Sequence, residues 1–390
     1  MVKTQTEENR LIILLAGKID STNAAETEAQ IRAAIDAHPG LPWVLDAGEL
    51  TYISSAGLRV LLTLKTRVNS DLTLRNVNPE VYETLSLTGF TELIRVQKRL
   101  RSLSVEGCPV IGRGAIGTVY RLDADTIVKV YELPDCLPLI EKEQKRAKQA
   151  FIRGIPTAIS YDIVQVGSKY GSVFEMVKAD NCNDLISRHP ERADEIIGWY
   201  VKLLKAVHAV EMLPGELPDA RDIYTGYLDA VASCLPDDMI SRIRGLIAAM
   251  PENLHAVHGD IQMKNVMMSA QEPLLIDMET LCVGNPIFDL AGLWMAYCAF
   301  NEDEPDNPEK FLGIKREMAE AIYEKVLALY IGDDARLSRA NERIQVLGAI
   351  RFLYIVKALG MGLPALTELR VRHTRERLER LLPRVDRLDL

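Results

Sequence analysis

The sequence has few of the features that build disulfide frameworks, zinc sites or membrane spans. Its six cysteines lie far apart and never form a C-x-x-C pair, a distribution that indicates buried thiols in a reducing compartment. Long apolar runs are also missing, because Leu11–Gly17 is too short to cross a bilayer and lacks the cleavage pattern of a signal peptide. We therefore expect a cytoplasmic protein without a membrane partner.

Basic charge is scarce as well. The 390 residues contain 46 Lys+Arg and 55 Asp+Glu, and the net charge is −9, so the basic surface that nucleic-acid binding requires is not expected. Hydrophobic residues make up 48% and charged residues 26% of the chain, which is typical of folded globular domains. The length predicts about two or three such domains. The first hundred residues are nearly neutral, so the acidic excess belongs to the remainder.

Strands and helices alternate in the predicted structure of the first hundred residues. Apolar runs predict the strands, and helical spacing of apolar residues predicts the helices. The predicted strands are Leu11–Gly17, Trp43–Asp46 and Leu72–Arg75, and the predicted helices are Ser21–His38, one opening at Ser54, and Pro79–Ser86. The helix that opens at Ser54 is expected to bury Leu58, Leu61, Leu62 and Leu64. The alternation predicts an α/β domain of βα units with a mostly parallel sheet.

Three short segments of this region match a known domain. They are LAGKID (Leu15–Asp20), VLD (Val44–Asp46) and TYISSAGLRV (Thr51–Val60). On these segments residues 5–100 resemble the STAS domain of anti-sigma-factor antagonists. The resemblance implies a STAS domain over residues 1–100 and a STAS-domain or anti-sigma-type protein as a partner.

The strand-to-helix turn departs from the STAS pattern, in which the first Ser of an Asp-Ser-Ser-Gly turn is phosphorylated. Aligned on Gly57, Ser55 takes the phosphoacceptor position, Ser54 replaces the Asp and Ala56 replaces the second Ser. A helix N-terminus offers free N–H groups to a phosphate, and it equally favours serine as a cap. Both roles stay open for Ser55, whereas Ser54 is expected to act as a cap.

A glycine-rich segment follows the basic stretch Gln97–Leu103. Gly112, Gly114 and Gly117 precede Thr-Val-Tyr and then the apolar run Ile127–Val130, which predicts a strand, a glycine-rich turn and two further strands. Three glycines also build ordinary hairpin turns, and a dinucleotide-binding turn would continue into a helix. The strands on both sides favour a loop that folds over nucleotide phosphates, because glycine leaves no Cβ in the way.

Lys129 lies alone in the apolar strand that follows the glycines. A lysine there is either a solvated surface residue or a contact to the α- and β-phosphates, and the glycines favour the second interpretation. Such a lysine needs a carboxylate partner, and the predicted helix Glu141–Ala147 offers Glu141 and Glu143. The spacing favours Glu143, although an exposed helix face with an i,i+4 pair between Glu141 and Lys145 is the alternative.

A later apolar run, Gly171–Val177, predicts the strand that leads into a hinge between two lobes. The backbone carbonyl of Glu175 and the backbone N–H of Val177 would then meet the adenine edge. A plain core strand is the alternative, and side-chain identity does not separate the two interpretations.

Polar residues at suggestive spacing follow in the segment His258–Asn265 and at Asp277. Kinase-fold phosphotransferases place a base and two metal ligands in this pattern. Asp260 would accept the proton of the attacking hydroxyl, while Asn265 and Asp277 would hold Mg²⁺ on the nucleotide phosphates. His258 is expected to pack beneath the loop and orient it. Taken singly, each of these residues is also common in turns.

Other polar residues of the second half are expected to be structural. Asp289 either caps a helix or accepts backbone N–H bonds from the catalytic loop. Trp199 and His208 receive no ligand role, because the helix that holds them carries an apolar stripe typical of a core. A basic face near the C-terminus is expected to be solvated, with docking of the acidic half or of a partner as the alternative. It comprises Arg370, Arg372, Arg375, Arg377 and Arg380.

From about residue 105 to 360, the ordered motifs from Gly112 to Asp289 resemble the aminoglycoside phosphotransferase and choline kinase-like branch of the protein-kinase fold. His-Gly-Asp in place of His-Arg-Asp, and Ile-Asp-Met-Glu in place of Asp-Phe-Gly, point to this branch. The resemblance implies an α+β two-lobed fold with an N-lobe over residues 104–180 and a helical C-lobe over residues 181–390. It also implies ATP and Mg²⁺ as cofactors.

Two positions depart from that branch. Gln262 stands where His or Lys is common two residues after the catalytic Asp, so Mg²⁺ and Lys129 are expected to supply the charge that stabilises the transferring phosphoryl group. Glu279, two residues after the metal ligand, faces either a second metal or solvent.

These motifs predict an ATP- and Mg²⁺-dependent phosphotransferase that acts on a hydroxyl acceptor. One hypothesis is a signalling switch in which the kinase part phosphorylates a STAS serine, either Ser55 or its counterpart in another chain. A second is a small-molecule kinase with the STAS domain as a docking module. A third is a nucleotide-binding pseudokinase scaffold, and the complete set of Lys, Glu, Asp, Asn and Asp argues against it.

Overall fold

The computed structural model describes residues 2–7, 10–66, 72–114, 116–133, 136–269 and 272–390. The chain divides into two compact units, Met1–Ser104 and Val105–Leu390. Each unit has its own buried hydrophobic cluster.

A five-stranded sheet forms the centre of the first unit, with strand order β1-β2-β3-β4-β5. Strand β1 pairs antiparallel with β2, and the other neighbours are parallel, which confirms the prediction of a mostly parallel sheet. The strands are β1 (Val2–Glu7), β2 (Arg10–Ile19), β3 (Trp43–Ile53), β4 (Thr73–Val77) and β5 (Arg95–Lys98), followed by the short strand β6 (Arg101–Ser102). The helices are α1 (Ala24–Asp36), α2 (Ser55–Lys65), α3 (Pro79–Leu87) and α4 (Phe90–Leu93).

Strand β1 is not predicted from the sequence, because its residues, VKTQTE, contain no apolar run. Most of its described side chains are exposed, as expected for an edge strand with polar residues. The buried face of α2 also differs from expectation. Leu58, Leu61 and Leu64 are buried, whereas Leu62 is 41% exposed, because the 100° step per residue turns it away from its neighbours.

The start of α2 is fixed by a cap and by close packing. The Ser54 Oγ accepts hydrogen bonds from the backbone N–H groups of Ala56 (3.2 Å) and Gly57 (3.5 Å), so Ser54 is the cap that the sequence predicts. Ser55 is the first helical residue, and it is exposed. A Cβ at Gly57 would fall within 3.0 Å of Ile19 and Ile53, so glycine lets the helix approach the strand ends.

The second unit begins with an antiparallel sheet in which the strands follow the order β10-β11-β9-β8-β7. Its strands are β7 (Val110–Arg113), β8 (Gly117–Arg121), β9 (Thr126–Tyr131), β10 (Ser160–Val166) and β11 (Lys169–Glu175). One long helix, α5 (Leu137–Ile152), connects β9 to β10. The sheet therefore has the predicted succession of strand, glycine-rich turn and two further strands.

The remainder of the second unit is largely helical, as predicted. Its helices are α6 (Cys182–Arg188), α7 (Ala193–Val207), α8 (Ala220–Ala230), α9 (Asp237–Ala248), α10 (Ile287–Trp294), α11 (Phe300–Asp303), α12 (Asn307–Leu312), α13 (Arg316–Ile331), α14 (Asp334–Leu353) and α15 (Thr367–Leu381). The short strands are β12 (Asp180–Asn181), β13 (Ala256–Val257), β14 (Val266–Ser269), β15 (Glu272–Leu275) and β16 (Cys282–Val283). Across the described ranges, no helix combines the length and apolar character that crossing a bilayer needs.

Two short strands follow the segment His258–Asn265. Strands β14 and β15 form an antiparallel hairpin, and residues 270 and 271 between them lie outside the described residues. Asn265 precedes the first strand and Asp277 follows the second. The hairpin therefore carries the two proposed metal ligands at its open end.

The basic C-terminal face is only partly solvated, because Arg370 follows the alternative and docks on an acidic residue of the same unit. Its side chain is fully buried, donates to the Glu304 carboxylate at 2.8 Å and lies 5.2 Å from the centre of the Phe300 ring. Arg372 on the same helix is exposed. Helical spacing of polar residues cannot separate a solvated arginine from one that meets a carboxylate of another helix.

Four of the six cysteines are buried, and they are Cys136, Cys182, Cys234 and Cys282. Burial raises the pKa of the Cys182 thiol to about 12. A thiol in this state is unreactive, because the thiolate is the nucleophile. These four positions match the expectation of buried thiols, whereas Cys108 and Cys298 are only partly buried.

Candidate active site

Lys129 is held between two carboxylates that come from distant parts of the chain. Its Nζ lies 3.1 Å from the Glu143 Oε1 and 3.5 Å from the Asp277 Oδ1. Burial lowers the pKa of Lys129, but Asp277 and Glu143 outweigh that effect and the pKa is raised. The structure thus brings together three residues that the sequence selected separately, and Lys129 carries its positive charge there.

Glu143 also binds a partner that the sequence did not indicate. Its side chain is 3% exposed and accepts a hydrogen bond from the Tyr131 hydroxyl. Burial and the Glu143 charge raise the pKa of Tyr131, so the phenol stays neutral and acts as a donor. Glu141, the alternative, is exposed. The spacing of β9 (Thr126–Tyr131), which places residues 129 and 131 on one face, is the signal that could have found Tyr131.

The three glycines differ in how closely other atoms would approach an added Cβ. A Cβ at Gly117 would lie far inside contact distance of the Val130 carbonyl oxygen, so this position must be glycine for the strands to pair. At Gly112 and Gly114 a Cβ would stand 3.7 Å and 3.9 Å from its nearest neighbours. The fold therefore does not require glycine at these two positions.

The predicted hinge lies at the end of β11 (Lys169–Glu175). The Val177 carbonyl accepts a hydrogen bond from the Ala179 N–H at 3.0 Å, and the Met176 N–H donates to the Asp125 carbonyl at 2.8 Å. Among the described residues, the N–H of Val177 donates to no protein acceptor. Glu175 is turned inward, because its carboxylate accepts from the Ile159 N–H at 3.2 Å.

The carboxylate of Asp260 is held on both oxygens. Gln262 Nε2 donates to Oδ1 at 2.8 Å, and Asn265 Nδ2 donates to Oδ2 at 3.1 Å. Asn265 Nδ2 also donates to the Asp260 backbone carbonyl at 2.9 Å. The Asp260 side chain remains 29% exposed, so the carboxylate is oriented and still accessible to a ligand.

A buried carboxylate anchors this loop from below. Asp289, with no exposed surface, accepts from the backbone N–H groups of His258 (2.9 Å) and Gly259 (2.6 Å), and it contacts His208 Nε2 at 2.9 Å. Burial raises its pKa, but the hydrogen bond and charge of His208 and the contacts with His258 more than compensate, and the pKa is lowered. Asp289 thus holds the loop as an ionised acceptor, and His208 supports it.

His258 packs beneath the loop, as expected. Its imidazole is fully buried, and its two nitrogens lie 3.2 Å from the Ile276 carbonyl oxygen and 3.2 Å from the Asp260 N–H nitrogen. These contacts connect the end of β15 (Glu272–Leu275) to the catalytic segment. The ring therefore fixes the distance between Asp260 and the turn that carries Asp277.

Asn265 and Asp277 provide the donor atoms that Mg²⁺ prefers. The Asn265 amide nitrogen is engaged by Asp260, which leaves its carbonyl oxygen for a ligand. The Asp277 carboxylate is 42% exposed, and Asp277 adopts the left-handed conformation with φ of 65°. Among the described residues, no cluster of three or more His, Cys, Asp or Glu could hold a metal alone. The set fits a metal that also binds phosphate oxygens, because Mg²⁺ takes few protein ligands in phosphotransferases.

Glu279 is half-buried beside this turn. Burial raises its pKa, and the nearby Asp277 and Glu143 carboxylates add to the effect against Lys129 and Arg146. The backbone carbonyl of Glu279 accepts a hydrogen bond from Arg146, which lies on α5 (Leu137–Ile152) three residues after Glu143. Arg146 was not indicated by the sequence, since a basic residue on a charged helix has no distinctive pattern.

Arg351 is a further cation at the site that the sequence did not indicate. It belongs to α14 (Asp334–Leu353), is 8% exposed, and donates to the Gly259 backbone carbonyl. Its Nη2 lies 3.4 Å from the Asp260 Oδ1. The expectation that only Mg²⁺ and Lys129 bring positive charge to the site is therefore incomplete.

Family models match both units. The model of the phosphotransferase enzyme family (APH) matches residues 107–309, slightly more than half of the chain. The model of the STAS domain matches residues 1–103. A curated relative, "Putative anti-sigma factor antagonist BtrV" of Bordetella bronchiseptica, is 38% identical over 92 residues, which cover 23% of this chain and 78% of the relative.

Two solved structures that the chain matches are aminoglycoside phosphotransferases. The match to the ADP-bound APH(2'')-Ib structure has a TM-score of 0.48 and 16% sequence identity. It covers 78% of this chain and 99% of the APH(2'')-Ib chain. The match to a thermostable mutant of APH(4)-Ia with ADP and hygromycin B has a TM-score of 0.49 and 12% sequence identity. It covers 71% of this chain and 93% of the APH(4)-Ia chain.

Proposed function

Because this chain belongs to the phosphotransferase enzyme family and carries a STAS domain, we propose that it is an ATP- and Mg²⁺-dependent kinase that phosphorylates a hydroxyl acceptor in a signalling role. The observation that carries the proposal is the position of Lys129 between Glu143 and Asp277. A lysine whose side chain is 16% exposed, with a carboxylate on each side, matches the arrangement that kinase-fold enzymes need for nucleotide phosphates.

In this proposal the antiparallel sheet binds ATP. The backbone around Gly112, Gly114 and Gly117 covers the phosphates, and the space beside the first two supports this role. Lys129 contacts the α- and β-phosphates, and Glu143 keeps its ammonium in place. The backbone of Glu175 and Val177 meets the adenine edge, which the unpaired N–H of Val177 supports among the described contacts.

Asn265 and Asp277 would hold Mg²⁺, which neutralises phosphate charge when it is bound. Lys129 then has two roles, because it pairs with Asp277 in the structure and would turn toward the nucleotide phosphates. Asp277 would exchange its contact with Lys129 for the metal, and Glu143 would keep the lysine in place during that exchange.

The acceptor reaction uses Asp260 as the proton acceptor. The oxygen of the acceptor hydroxyl attacks the γ-phosphorus, the bond between that phosphorus and the β-γ bridging oxygen breaks, and ADP leaves with the bonding electrons. The hydroxyl proton passes to the Asp260 carboxylate. Gln262 and Asn265 hold the two carboxylate oxygens, so the base is oriented before the acceptor arrives.

For the acceptor we propose a STAS serine, Ser55 or its counterpart in another chain. Ser55 is exposed at the first position of α2 (Ser55–Lys65), while Ser54 provides the cap. A phosphate there would lie at the positive end of the helix dipole. The similarity to an anti-sigma factor antagonist supports a STAS-domain or anti-sigma-type protein as partner. A kinase needs a compartment that supplies ATP, so the proposal places the protein in the cytoplasm.

Incubation with γ-labelled ATP and Mg²⁺, followed by mass spectrometry of the intact and digested protein, tests this function. We expect label on Ser55, none in Ser55→Ala, and retention in Ser54→Ala. Asp260→Asn should abolish transfer while nucleotide affinity is kept. Wild-type turnover by Asp260→Asn would remove the assignment of the base, and transfer to water or a small molecule instead of protein would favour a different acceptor.

A further inference from the structure

The catalytic loop receives a buried cation from a helix outside the region that the phosphotransferase model matches. That model ends at residue 309, and Arg351 lies on α14 (Asp334–Leu353). Its guanidinium nevertheless contacts both the Gly259 carbonyl and the Asp260 carboxylate. A buried arginine lowers stability unless its charge is paired and its N–H groups are used. The contacts with Gly259 and Asp260 are therefore what allow this side chain to be buried.

A glycine in a neighbouring helix leaves the space that this guanidinium occupies. A Cβ at Gly292, in α10 (Ile287–Trp294), would stand far inside contact distance of Arg351 Nη1. Alanine is otherwise preferred to glycine inside a helix by about 1 kcal/mol. Glycine at position 292 is therefore explained by the arginine that fills the space.

Arg351 and Asp289 fix the same part of the loop from two directions. Asp289 accepts the N–H of Gly259 at 2.6 Å, and Arg351 donates to the carbonyl of Gly259. The Gly259 backbone is in the left-handed region, with φ of 82°, and a Cβ there would collide with the Thr280 carbonyl. Both polar groups of this residue are thus held by charged side chains, directly before Asp260.

The same guanidinium completes the set of donors around the Asp260 carboxylate. Oδ2 receives Asn265 Nδ2 at 3.1 Å, whereas Oδ1 receives Gln262 Nε2 at 2.8 Å and faces Arg351 Nη2 at 3.4 Å. Gln262 is 4% exposed, and its own Oε1 has no hydrogen-bond partner in the described structure. The glutamine alone is therefore an incompletely supported donor, and the arginine is the charged contact that keeps Oδ1 in place.

We infer that Arg351 is a positioning residue for Asp260, which it holds in the orientation that accepts the acceptor proton. The inference rests on the proposed phosphotransferase function. Among the described contacts, those of Arg351 with the site are to Gly259 and Asp260, and not to Lys129 or the three glycines assigned to the nucleotide. Its loss should therefore lower the rate of transfer and leave the affinity for Mg²⁺-ATP unchanged.

The test measures transfer of labelled phosphate from ATP, to protein or to water, at saturating Mg²⁺-ATP, together with nucleotide affinity by fluorescence titration. We expect Arg351→Ala to lose about 10²-fold in rate, the size of effect that a misplacement of about 1 Å produces. Arg351→Lys should recover part of the rate, since an ammonium makes one of the two contacts. Arg343→Ala is the matched control, because Arg343 lies on the same helix and donates to the Asp389 carbonyl at 2.8 Å, away from the loop.

Two further measurements separate positioning from a general structural role. Guanidinium at low millimolar concentration should raise the rate of Arg351→Ala and leave Arg343→Ala and Asp260→Asn unchanged, because only the first variant leaves a hole of the right shape. Gly292→Ala should slow the wild-type protein by displacing the guanidinium. In the Arg351→Ala background it should have no further effect, which a double-mutant cycle detects as coupling.

Several outcomes would overturn the inference. Wild-type rate in folded Arg351→Ala would do so, as would a parallel loss of nucleotide affinity. If Arg351→Ala fails to fold, Arg351→Lys and Gly292→Ala decide, and an unchanged rate in both contradicts the positioning role. Absence of any transfer or hydrolysis by the wild-type protein would overturn the phosphotransferase function itself, and the role of Arg351 would fall with it.

Discussion

Arg146 donates a hydrogen bond to the backbone carbonyl of Glu279. It therefore links α5 (Leu137–Ile152), which carries Glu143, to the turn that follows Asp277. Helix α5 thus contacts both Lys129, through Glu143, and the turn that follows Asp277, through Arg146. A shift of α5 would disturb the two halves of the site together.

Arg146→Ala should weaken the binding of Mg²⁺-ATP more than the binding of ATP without metal. The reason is that the turn behind Asp277 loses its tie to α5. A charge-assisted hydrogen bond contributes about 1.5–3 kcal/mol, so we expect roughly a tenfold loss of Mg²⁺-ATP affinity, measured by calorimetry. Lys148→Ala, at an exposed position on the same helix, is the control and should behave like wild type. Equal losses with and without Mg²⁺ would contradict the link.

Glu143→Gln should lower nucleotide affinity by about tenfold or more, because Lys129 loses a charged hydrogen-bond partner that is buried. Glu141→Gln changes a carboxylate two residues away that is exposed, and it should leave the affinity unchanged. Fluorescence titration with a labelled ATP analogue measures both. An equal effect of the two substitutions would show that net charge, and not the pair with Lys129, sets the affinity.

Gly114→Ala and Gly117→Ala should fail in different ways. The Cβ at position 114 meets nothing closer than 3.9 Å, so the melting temperature should stay the same while ATP affinity falls. The Cβ at position 117 collides with the Val130 carbonyl, and forcing it in should cost about 1–3 kcal/mol of stability. Thermal denaturation and nucleotide titration on both variants give the comparison. A destabilised Gly114→Ala would mean that the fold itself requires this glycine.

Glu279→Gln should raise the stability of the ligand-free protein at neutral pH. Burial, with Asp277 and Glu143 nearby, raises the pKa of Glu279 above its ordinary value of 4.5. The folded protein therefore binds this proton more tightly than the unfolded chain does, and the ionised carboxylate destabilises the fold as pH rises above 4.5. The gain in melting temperature should be present at pH 7 and vanish below pH 4.5. Glu379→Gln, an exposed position, should show no such dependence.

Arg370→Ala should destabilise the second unit by about 3 kcal/mol, because it removes a fully buried side chain and leaves the buried Glu304 carboxylate with the exposed Lys310 as its remaining cationic partner. Arg372→Ala on the same helix removes an exposed arginine and should change the free energy of unfolding by less than about 0.5 kcal/mol. Urea denaturation measures both. Similar free energies of unfolding for the two variants would mean that Arg370 is solvated, as its sequence pattern suggests.

Local motifs made much of the architecture predictable. The glycine turn, Lys129 and the segment His258–Asn265 are contiguous patterns, and the backbone that they require follows from their own residues. Ser54 was predictable as a cap for the same reason, since a cap bonds to groups two and three residues ahead.

The supporting residues were not predictable, because their roles depend on contacts across the fold. Arg146 and Glu279 are 133 positions apart, and Arg351 and Gly259 are 92 positions apart. An arginine in an amphipathic helix looks the same whether it faces water or a catalytic loop. Arg370 shows the error that follows, since its charge suggested exposure and the structure buries it.

The fit between Gly292 and Arg351 has an evolutionary consequence. A side chain at position 292 would displace the arginine at 351 from its place against the loop, so that the contact with Gly259 and Asp260 favours glycine at 292. The two positions should therefore change together across related chains. Such a covarying pair would mark, from sequence alone, the relatives whose catalytic loop is held by a C-terminal arginine.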